Sequence, residues 1–351
     1  MIVMEKIIAT VKDAPVKAGT RVLMRVDYNV PVDAQGQIID DKRIVDNLPT
    51  VKYCLAKRAK VVLCSHFGRP DGQPDPQYSL RVVYERLQKL LPDVTVQFAT
   101  ATVGDAVAQQ VADLPNGAVL LLENTRFNAG ETKNDPDFAQ ALAALGDVFV
   151  NDAFGAAHRA HASTVGVADY LPAYAGLLMA NEIKQLTKVI AQPARPFTVI
   201  VGGKKVSDKL PLVLKLLDRA DYVLVGGKIA QEWPAVVGQH RAELHVASDT
   251  GLDISPATIA HWQPILQRSR TIFWNGPLGH FEDPATAVGT KAVAEIVADC
   301  DAFTVVGGGD TAAAVKGYQF DHTSTGGGAA LEFVQGLTLP GIACLQKQEE
   351  A

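Results

Sequence analysis

The chain has little cysteine. Its 351 residues hold four, Cys54, Cys64, Cys300 and Cys344, and none forms a C-x-x-C pair. That scatter excludes a disulfide framework and a cysteine-based zinc site. Cys64 and Cys344 sit in apolar, strand-like runs and read as small core residues. Long apolar stretches are missing too, and none approaches the roughly 20 residues a membrane span needs. The opening MIVMEKIIATVKDAP carries charges too early for a secretory leader, so a cytoplasmic protein without a membrane partner is expected. Charge of one sign is not in excess: 33 Lys and Arg stand against 38 Asp and Glu, a formal net charge of −5. With a pI near 5.9, this excludes a nucleic-acid-binding surface over the whole molecule but leaves room for a local basic site. No G-x-x-x-x-G-K-[ST] string is present, so this is not a P-loop protein. Internal repeats and low-complexity tracts are also absent.

What is present is a regular alternation. Hydrophobic residues make up 48% of the chain. Its length is large for one core and predicts two domains. Short apolar runs recur at Arg21–Val26, Lys60–Cys64, Ala118–Leu122, Asp147–Val150, Thr198–Val201, Tyr222–Val225, Thr271–Trp274, Phe303–Val306 and Ile342–Leu345. Helical periodicity falls between them, as in Leu80–Leu91, Pro136–Leu145, Ser207–Leu217 and Pro284–Ala298. Strands alternating with helices predict βαβ units. Runs this continuous suit parallel strands covered on both faces. Tyr174–Ile190 reads as one long amphipathic helix, stopped by Pro193 and Pro196. The expected fold is α/β: two doubly wound, Rossmann-like parallel-sheet domains joined by this hinge helix.

Polar residues collect just after the strands of the first half. Asp27 and Asn29 follow the first run, His66 and Arg69 the second, and Arg126 the third. The fourth run leads into NDAFGAAHRAHAS at 151–163, with His158, Arg159 and His161. A parallel sheet places all its carboxyl ends on one side, so four such exits form one rim. Arginine forks and imidazolium suit carboxylate and phosphate, so the expected ligand is a small polyanion. Arg43 either joins the rim from its loop or pairs at the surface with Asp40 or Asp41.

The second half carries glycine instead. VGGKKVSDK at 201–209, VGGGDT at 306–311 and STGGGA at 324–329 each precede a helical pattern. Glycine lets the backbone approach phosphate closely, and a helix N-terminus offers free N–H groups. Each run alone could be a tight turn. Together with Lys205, Lys209 and an Asp310 able to hold Mg²⁺, they favour a metal–nucleotide site. A polyanion half and a nucleotide half, joined by a helical hinge, is the layout of a phosphotransferase that closes to exclude water.

Eight strings then carry a resemblance across nearly the whole chain: RVDYNVP at 25–31, SHFGRP at 65–70, LLENTRF at 121–127, NDAFGAAHRAHAS at 151–163, GGKKVSDK at 202–209, WNGPLGHFE at 274–282, GGGD at 307–310 and STGGGAALE at 324–332. In content and order they resemble the phosphoglycerate kinases. The resemblance implies reversible phosphoryl transfer between ATP and the carboxylate of 3-phosphoglycerate, giving ADP and 1,3-bisphosphoglycerate, with Mg²⁺, in a cytoplasmic monomer. It implies a substrate site of Asp27, Asn29, Arg43, His66, Arg69, Arg126 and Arg159. For the nucleotide it implies Gly203, Lys205, Lys209, Gly227, Asn275, Glu282, Gly308, Gly309, Asp310 and Thr311, with Glu282 near the ribose and Asp310 on the metal. Arg43, Lys209, Gly308 and Gly327 are the catalytic set. The implied domains are 1–172 for 3-phosphoglycerate, 173–192 for the helix and 193–336 for the nucleotide, with 337–351 returning to the first domain.

Three departures stand out against that family. Lys204 occupies a position usually held by Ala, and Lys228 one usually held by Gly. Between Ile229 and Gly251 the chain is much shorter than the family pattern, and no strand is read in Ala230–Thr250. The alternative reading is therefore a non-catalytic paralogue, or one with altered nucleotide specificity.

Overall fold

A computed structural model describes residues 8–234, 240–249 and 251–345. The first seven residues of the expected first domain and residues 346–351 of the expected returning segment lie outside this range, as do 235–239 and Thr250 of the shortened stretch. The chain forms two compact units. One comprises Met1–Glu182 with Thr338–Ala351, the other Ile183–Leu337.

The first unit is built on strands β1 (Arg21–Arg25), β2 (Lys60–Cys64), β3 (Val96–Phe98), β4 (Val119–Leu121), β5 (Val148–Asn151) and β6 (Ala173–Ala175). All pairings are parallel, in the order β3-β4-β2-β1-β5-β6. Helices α1 (Lys42–Ala56), α2 (Arg81–Leu90), α3 (Asp105–Asp113), α4 (Pro136–Ala143) and α5 (Leu177–Ala191) alternate with them. The central strands are fully buried, as their unbroken apolar runs require; Val22, Leu23, Val61, Val62, Leu63 and Phe149 have no exposure. Asp135 and Pro136 illustrate local encoding: the Asp135 carboxylate accepts the Phe138 N–H at 3.0 Å, and Pro136 opens the helix where its missing donor costs nothing.

Helix α5 begins at Leu177, later than the expected Tyr174. Its first residues are taken by β6, which pairs with β5 at Phe149↔Ala173. Gly176 marks the change: a Cβ there would lie 2.0 Å from the Asp152 carboxylate. That carboxylate accepts the Met179 N–H at 3.0 Å and so caps the new helix.

The second unit holds β7 (Phe197–Val201), β8 (Tyr222–Val225), β9 (Glu243–Val246), β10 (Thr271–Asn275), β11 (Phe303–Gly307) and β12 (His322–Ser324). Its order is β12-β11-β10-β7-β8-β9, again parallel throughout. Read from the other edge this is the doubly wound order 3-2-1-4-5-6, whose strand order reverses between its first and fourth strands, here β7 and β10. Helices α6 (Val206–Leu217), α7 (Lys228–Gln231), α8 (Pro256–Arg268), α9 (Val288–Asp299), α10 (Gly309–Ala314) and α11 (Gly327–Val334) complete it.

Two sequence expectations fail here. Strand β9 lies inside the stretch read as having none, and pairs with β8 from Tyr222↔Glu243 to Val225↔Val246. It is an edge strand with mostly exposed or half-buried residues, so it lacks the apolar run that marks the central strands. Conversely, Ile342–Leu345 is not a strand. Pro340 opens a short helix, α12 (Pro340–Ala343), which belongs to the first unit. There the Gly341 N–H donates to the Ala157 carbonyl at 2.8 Å, and the Asn151 amide donates to the Gly341 carbonyl at 3.1 Å. Leu339, Ile342, Cys344 and Leu345 are buried by this docking, so Cys344 is a core residue without being in a strand.

Candidate active site

In the first unit the four strand exits meet as their parallel order demands. Asn124, after β4, stitches two of them together. Its carbonyl oxygen accepts the N–H groups of Phe67 (3.1 Å) and Arg126 (3.0 Å), and its amide donates to the carbonyls of Phe67 (2.6 Å) and Tyr78 (2.9 Å). The Gly68 N–H donates to the Asn29 side chain at 2.9 Å, and Arg126 donates to the Gly68 carbonyl at 2.7 Å. Arg43 resolves the choice left open by its sequence. It pairs with Asp27 at 2.8 Å, while Asp41 takes Arg86 at 2.7 Å. The Nδ1 of His66 lies 3.9 Å from Asp27. Burial alone would raise the Asp27 carboxyl, but Arg43, Arg25 and the Asn29 N–H outweigh it and hold it below the usual carboxylate range.

The cations on this rim exceed their counter-charges. Arg126 is largely buried and is pushed down to about 10, first by desolvation and then by Arg159, Arg25 and Arg69, with only Glu131 opposing. Its Nε is buried without a hydrogen-bond partner. Among the described residues, Arg69, Arg126 and Arg159 enter no ion pair. Guanidiniums held together in this way have the chemistry to bind an anion that the protein does not itself supply.

His66 departs from the reading of an imidazolium. Desolvation is the largest influence; Asp27 favours protonation, but Arg25, Arg126 and Arg43 oppose it, and the ring is held well below the ordinary histidine range. His161 is likewise held neutral by burial, although Glu131 stands 3.8 Å away. Sequence reasoning also passed over Arg25, which is fully buried and touches His66. Its place at the end of an apolar strand did not reveal this, because only the folded structure shows that it faces inward.

The second unit carries a cavity of about 750 Å³ at the carboxyl ends of its strands. Gly203, Lys205, Lys209, Asn275, Gly308, Gly309, Asp310, Thr311 and Gly327 all line it. Gly227 and Glu282 are outside its lining. Gly227 takes a left-handed φ of +70° at the head of α7, and Glu282 pairs with Lys204 at 3.5 Å. Lys204, Lys228, Gln231, Leu252 and Phe281 line the cavity without having been assigned to it.

Its floor lies at the β7–β10 reversal. The chain at Gly202 and Gly276 passes so closely that a Cβ on Gly276 would sit 2.0 Å from the Gly202 carbonyl oxygen. Asn275 accepts a hydrogen bond from the Lys209 ammonium and donates at 2.7 Å to the Gly307 carbonyl. Thr311 donates to the Gly307 carbonyl at 2.8 Å and accepts the Gly276 N–H at 2.7 Å. Its hydroxyl proton is therefore spent inside the protein, which leaves the backbone N–H as the donor Thr311 can offer a ligand. Gly308, with φ +101°, turns the chain into α10, and nothing lies within 4 Å of a Cβ built on Gly309. The result is an open, glycine-walled surface with four lysines and one acidic residue, Asp310, along its lining.

A family model described as phosphoglycerate kinase matches residues 11–242 and 235–337. The chain belongs to the phosphoglycerate kinase family. Among its relatives, the phosphoglycerate kinase of Fervidobacterium nodosum is 43% identical over 404 aligned positions, covering 99% of this chain and 100% of the relative. That of Chloroflexus aggregans is 44% identical and covers 95% and 97%. Two solved phosphoglycerate kinases share the fold. The one from Coxiella burnetii superimposes with a TM-score of 0.82 at 33% identity, covering 98% of this chain and 100% of its own. The one from Pyrococcus horikoshii gives 0.83 at 30%, covering 96% and 98%. The Fervidobacterium alignment is longer than this chain, so that phosphoglycerate kinase carries residues missing here. The two matched segments of the family model meet at 235–242, inside the stretch the sequence marks as shortened.

Proposed function

We propose that this chain catalyses reversible phosphoryl transfer between ATP and the carboxylate of 3-phosphoglycerate, giving ADP and 1,3-bisphosphoglycerate. The observation that carries this reading is the uncompensated cluster of Arg69, Arg126 and Arg159 on the rim of the first unit. A small molecule carrying a phosphate and a carboxylate supplies the anionic groups that these guanidiniums lack.

Asp27, Asn29, Arg43, His66, Arg69, Arg126 and Arg159 hold the substrate, the arginines taking its anionic ends. Gly203, Lys205, Lys209, Asn275, Gly308, Gly309 and Asp310 hold the nucleotide phosphates, joined by the backbone of Thr311. Gly227 and Glu282 act at the margin of that site. In the reaction a carboxylate oxygen attacks the γ-phosphorus, and the bond to the bridging oxygen of ADP breaks with its electron pair leaving on ADP. The carboxylate is already ionised at neutral pH, so no general base is needed. What remains is in-line positioning and charge neutralisation. Arg43 and Lys209 meet the charge on the transferring group, and the N–H groups around Gly308 and Gly327 add fixed dipoles.

Asp310 fits Mg²⁺ as the exposed carboxylate of a lysine-rich cavity, and it would hold the ion beside the nucleotide phosphates. Bound there, Mg²⁺ supplies charge neutralisation. Helix α5, within which the two units divide, serves as the hinge. No described helix is long and apolar enough to cross a membrane. A cytoplasmic monomer is inferred from membership of the phosphoglycerate kinase family. The retention of Arg43, Lys205, Lys209 and Asp310 favours catalysis over a binding-only role. A coupled assay with 3-phosphoglycerate, Mg²⁺ and ATP, repeated with GTP, tests the reading. Tight 3-phosphoglycerate binding without turnover on either nucleotide would replace it with the binding-protein alternative.

A further inference from the structure

Arg25 ends β1 with its side chain directed beneath the anion rim, and it has no solvent exposure. Its Nε donates to Ser163 Oγ at 2.8 Å, and one terminal nitrogen donates to the Val26 carbonyl. The other, Nη2, lies 3.0 Å from Nδ1 of His66. A guanidinium offers only donors and does not deprotonate in proteins. The His66 Nδ1 is therefore the acceptor of this bond. It carries no proton, and the ring must be neutral with its proton on Nε2.

Arg25 is itself anchored from the opposite side. Ser163, the last residue of the NDAFGAAHRAHAS string, donates from Oγ to Glu131 Oε1 at 2.6 Å and from its backbone N–H to Oε2 at 3.0 Å. Thr125 adds a third donor to Glu131, at 3.2 Å. Glu131 is fully buried, so its carboxylate is a low-dielectric counter-charge to Arg25 reached through one hydroxyl. The groups facing His66 are Asp27, Arg25, Arg126 and Arg43, one anion against three cations.

We propose that Arg25, anchored to Glu131 through Ser163, is a positioning residue that fixes His66 as a neutral Nε2–H hydrogen-bond donor to the anion on the rim. This deepens, and rests on, the reading of the rim as the substrate site. It gives a role to Ser163 and Glu131, to which the reading of the sequence assigned none. Its consequence is that His66 contributes a directed hydrogen bond and no charge. Its hold on the anion stays constant through the pH range where an ordinary histidine would titrate.

The test is ¹⁵N spectroscopy of the histidine rings in the full, ligand-free chain from pH 5 to 8, with His66 assigned by comparison with H66Q. The expected result is an acceptor-type Nδ1 and a protonated Nε2 across the whole range. In R25M the donor and one repelling charge are gone, so His66 should protonate at a pH at least one unit higher than in the parent chain. In R25K, an ammonium able to donate to Nδ1 should restore the parent pattern. A parent His66 that carries its proton on Nδ1, or protonates with a midpoint near 6.5, overturns the proposal, and this measurement needs no variant to fold. An unchanged His66 titration in folded R25M overturns it as well. Because the readout is taken without substrate, a failure of the kinase reading appears in the turnover assay and not here.

Discussion

Arg43 and Asp27 meet at 2.8 Å, joining the first turn of α1 to the exit of β1. The pair holds the guanidinium in place while leaving a third of its side chain exposed. If Arg43 meets the transferring phosphoryl group, Arg43→Ala should lower kcat by about 10²–10³, the loss typical of one transition-state donor. A variant with undiminished kcat would remove Arg43 from the catalytic set. Asp27 is held below its usual range, so its contribution to stability is present above the unfolded carboxyl value and is lost as pH falls through the folded one. Asp27→Asn should therefore flatten the acid side of the stability profile.

Asp152 behaves in the opposite sense. It is fully buried and is pushed up to about 6, chiefly by desolvation, despite bonds from Thr50, Met179, Leu178 and Asn47. Its protonated form is favoured by folding, so its contribution is largest below about pH 4 and is lost as pH rises through 6. Relative to Asp152→Asn, the parent chain should lose about 3 kcal/mol between pH 4 and pH 7, from roughly two pKa units at 1.36 kcal/mol each. Urea midpoints of both proteins at several pH values give this difference directly. A gap that stays constant would show that Asp152 does not titrate in this window.

Two glycines of the nucleotide cavity should separate folding from binding. Gly276 has φ +96° and no room for a Cβ against the Gly202 carbonyl, so Gly276→Ala should cost about 2–4 kcal/mol in strain and overpacking. Gly309 has open space where its Cβ would go, so Gly309→Ala should change stability by no more than about 0.5 kcal/mol. A methyl projecting toward a bound phosphate should instead raise KM for ATP at least tenfold. Thermal melts and ATP titrations of the two variants should thus move in different columns. An unaltered ATP KM in Gly309→Ala would place the phosphates elsewhere.

Lys204, the added lysine beside Lys205, pairs with Glu282 at 3.5 Å, with both side chains about half exposed or more. Exposed pairs of this kind contribute little. Lys204→Ala should shift the unfolding free energy by less than about 0.5 kcal/mol, as measured by denaturant titration. A larger loss would mean that the pair organises the cavity mouth.

Much of both sites was legible because parallel sheets translate position along the chain into position in space. Asp27, His66, Arg126 and Arg159 each follow a strand, and a shared strand direction is enough to gather them. The glycines at 202–203 and 307–309 announce close backbone approach in the same way. Arg25 was not legible. A strand-end arginine looks the same in sequence whether it faces solvent or lies fully buried against Ser163 and His66. Strand β9 escaped because an edge strand is covered less fully and loses the apolar run that marks its neighbours. Ile342–Leu345 misled for the converse reason: an apolar run of four is compatible with a strand or with a docked turn, and Pro340 with Gly341 selected the turn.

The sequence by itself determined the alternation of strands and helices, the division into two units, the ionic character of each site and the family. These follow from periodicity, glycine placement and residue type, which act locally or repeat along the chain. Only the tertiary structure decided which partner each charge takes. Arg43 chose Asp27 over Asp40 and Asp41, Thr311 spent its hydroxyl on Gly276 and Gly307, and burial among arginines made His66 neutral. Those outcomes depend on distance and desolvation between residues far apart in the chain, and neither quantity exists until the chain has folded.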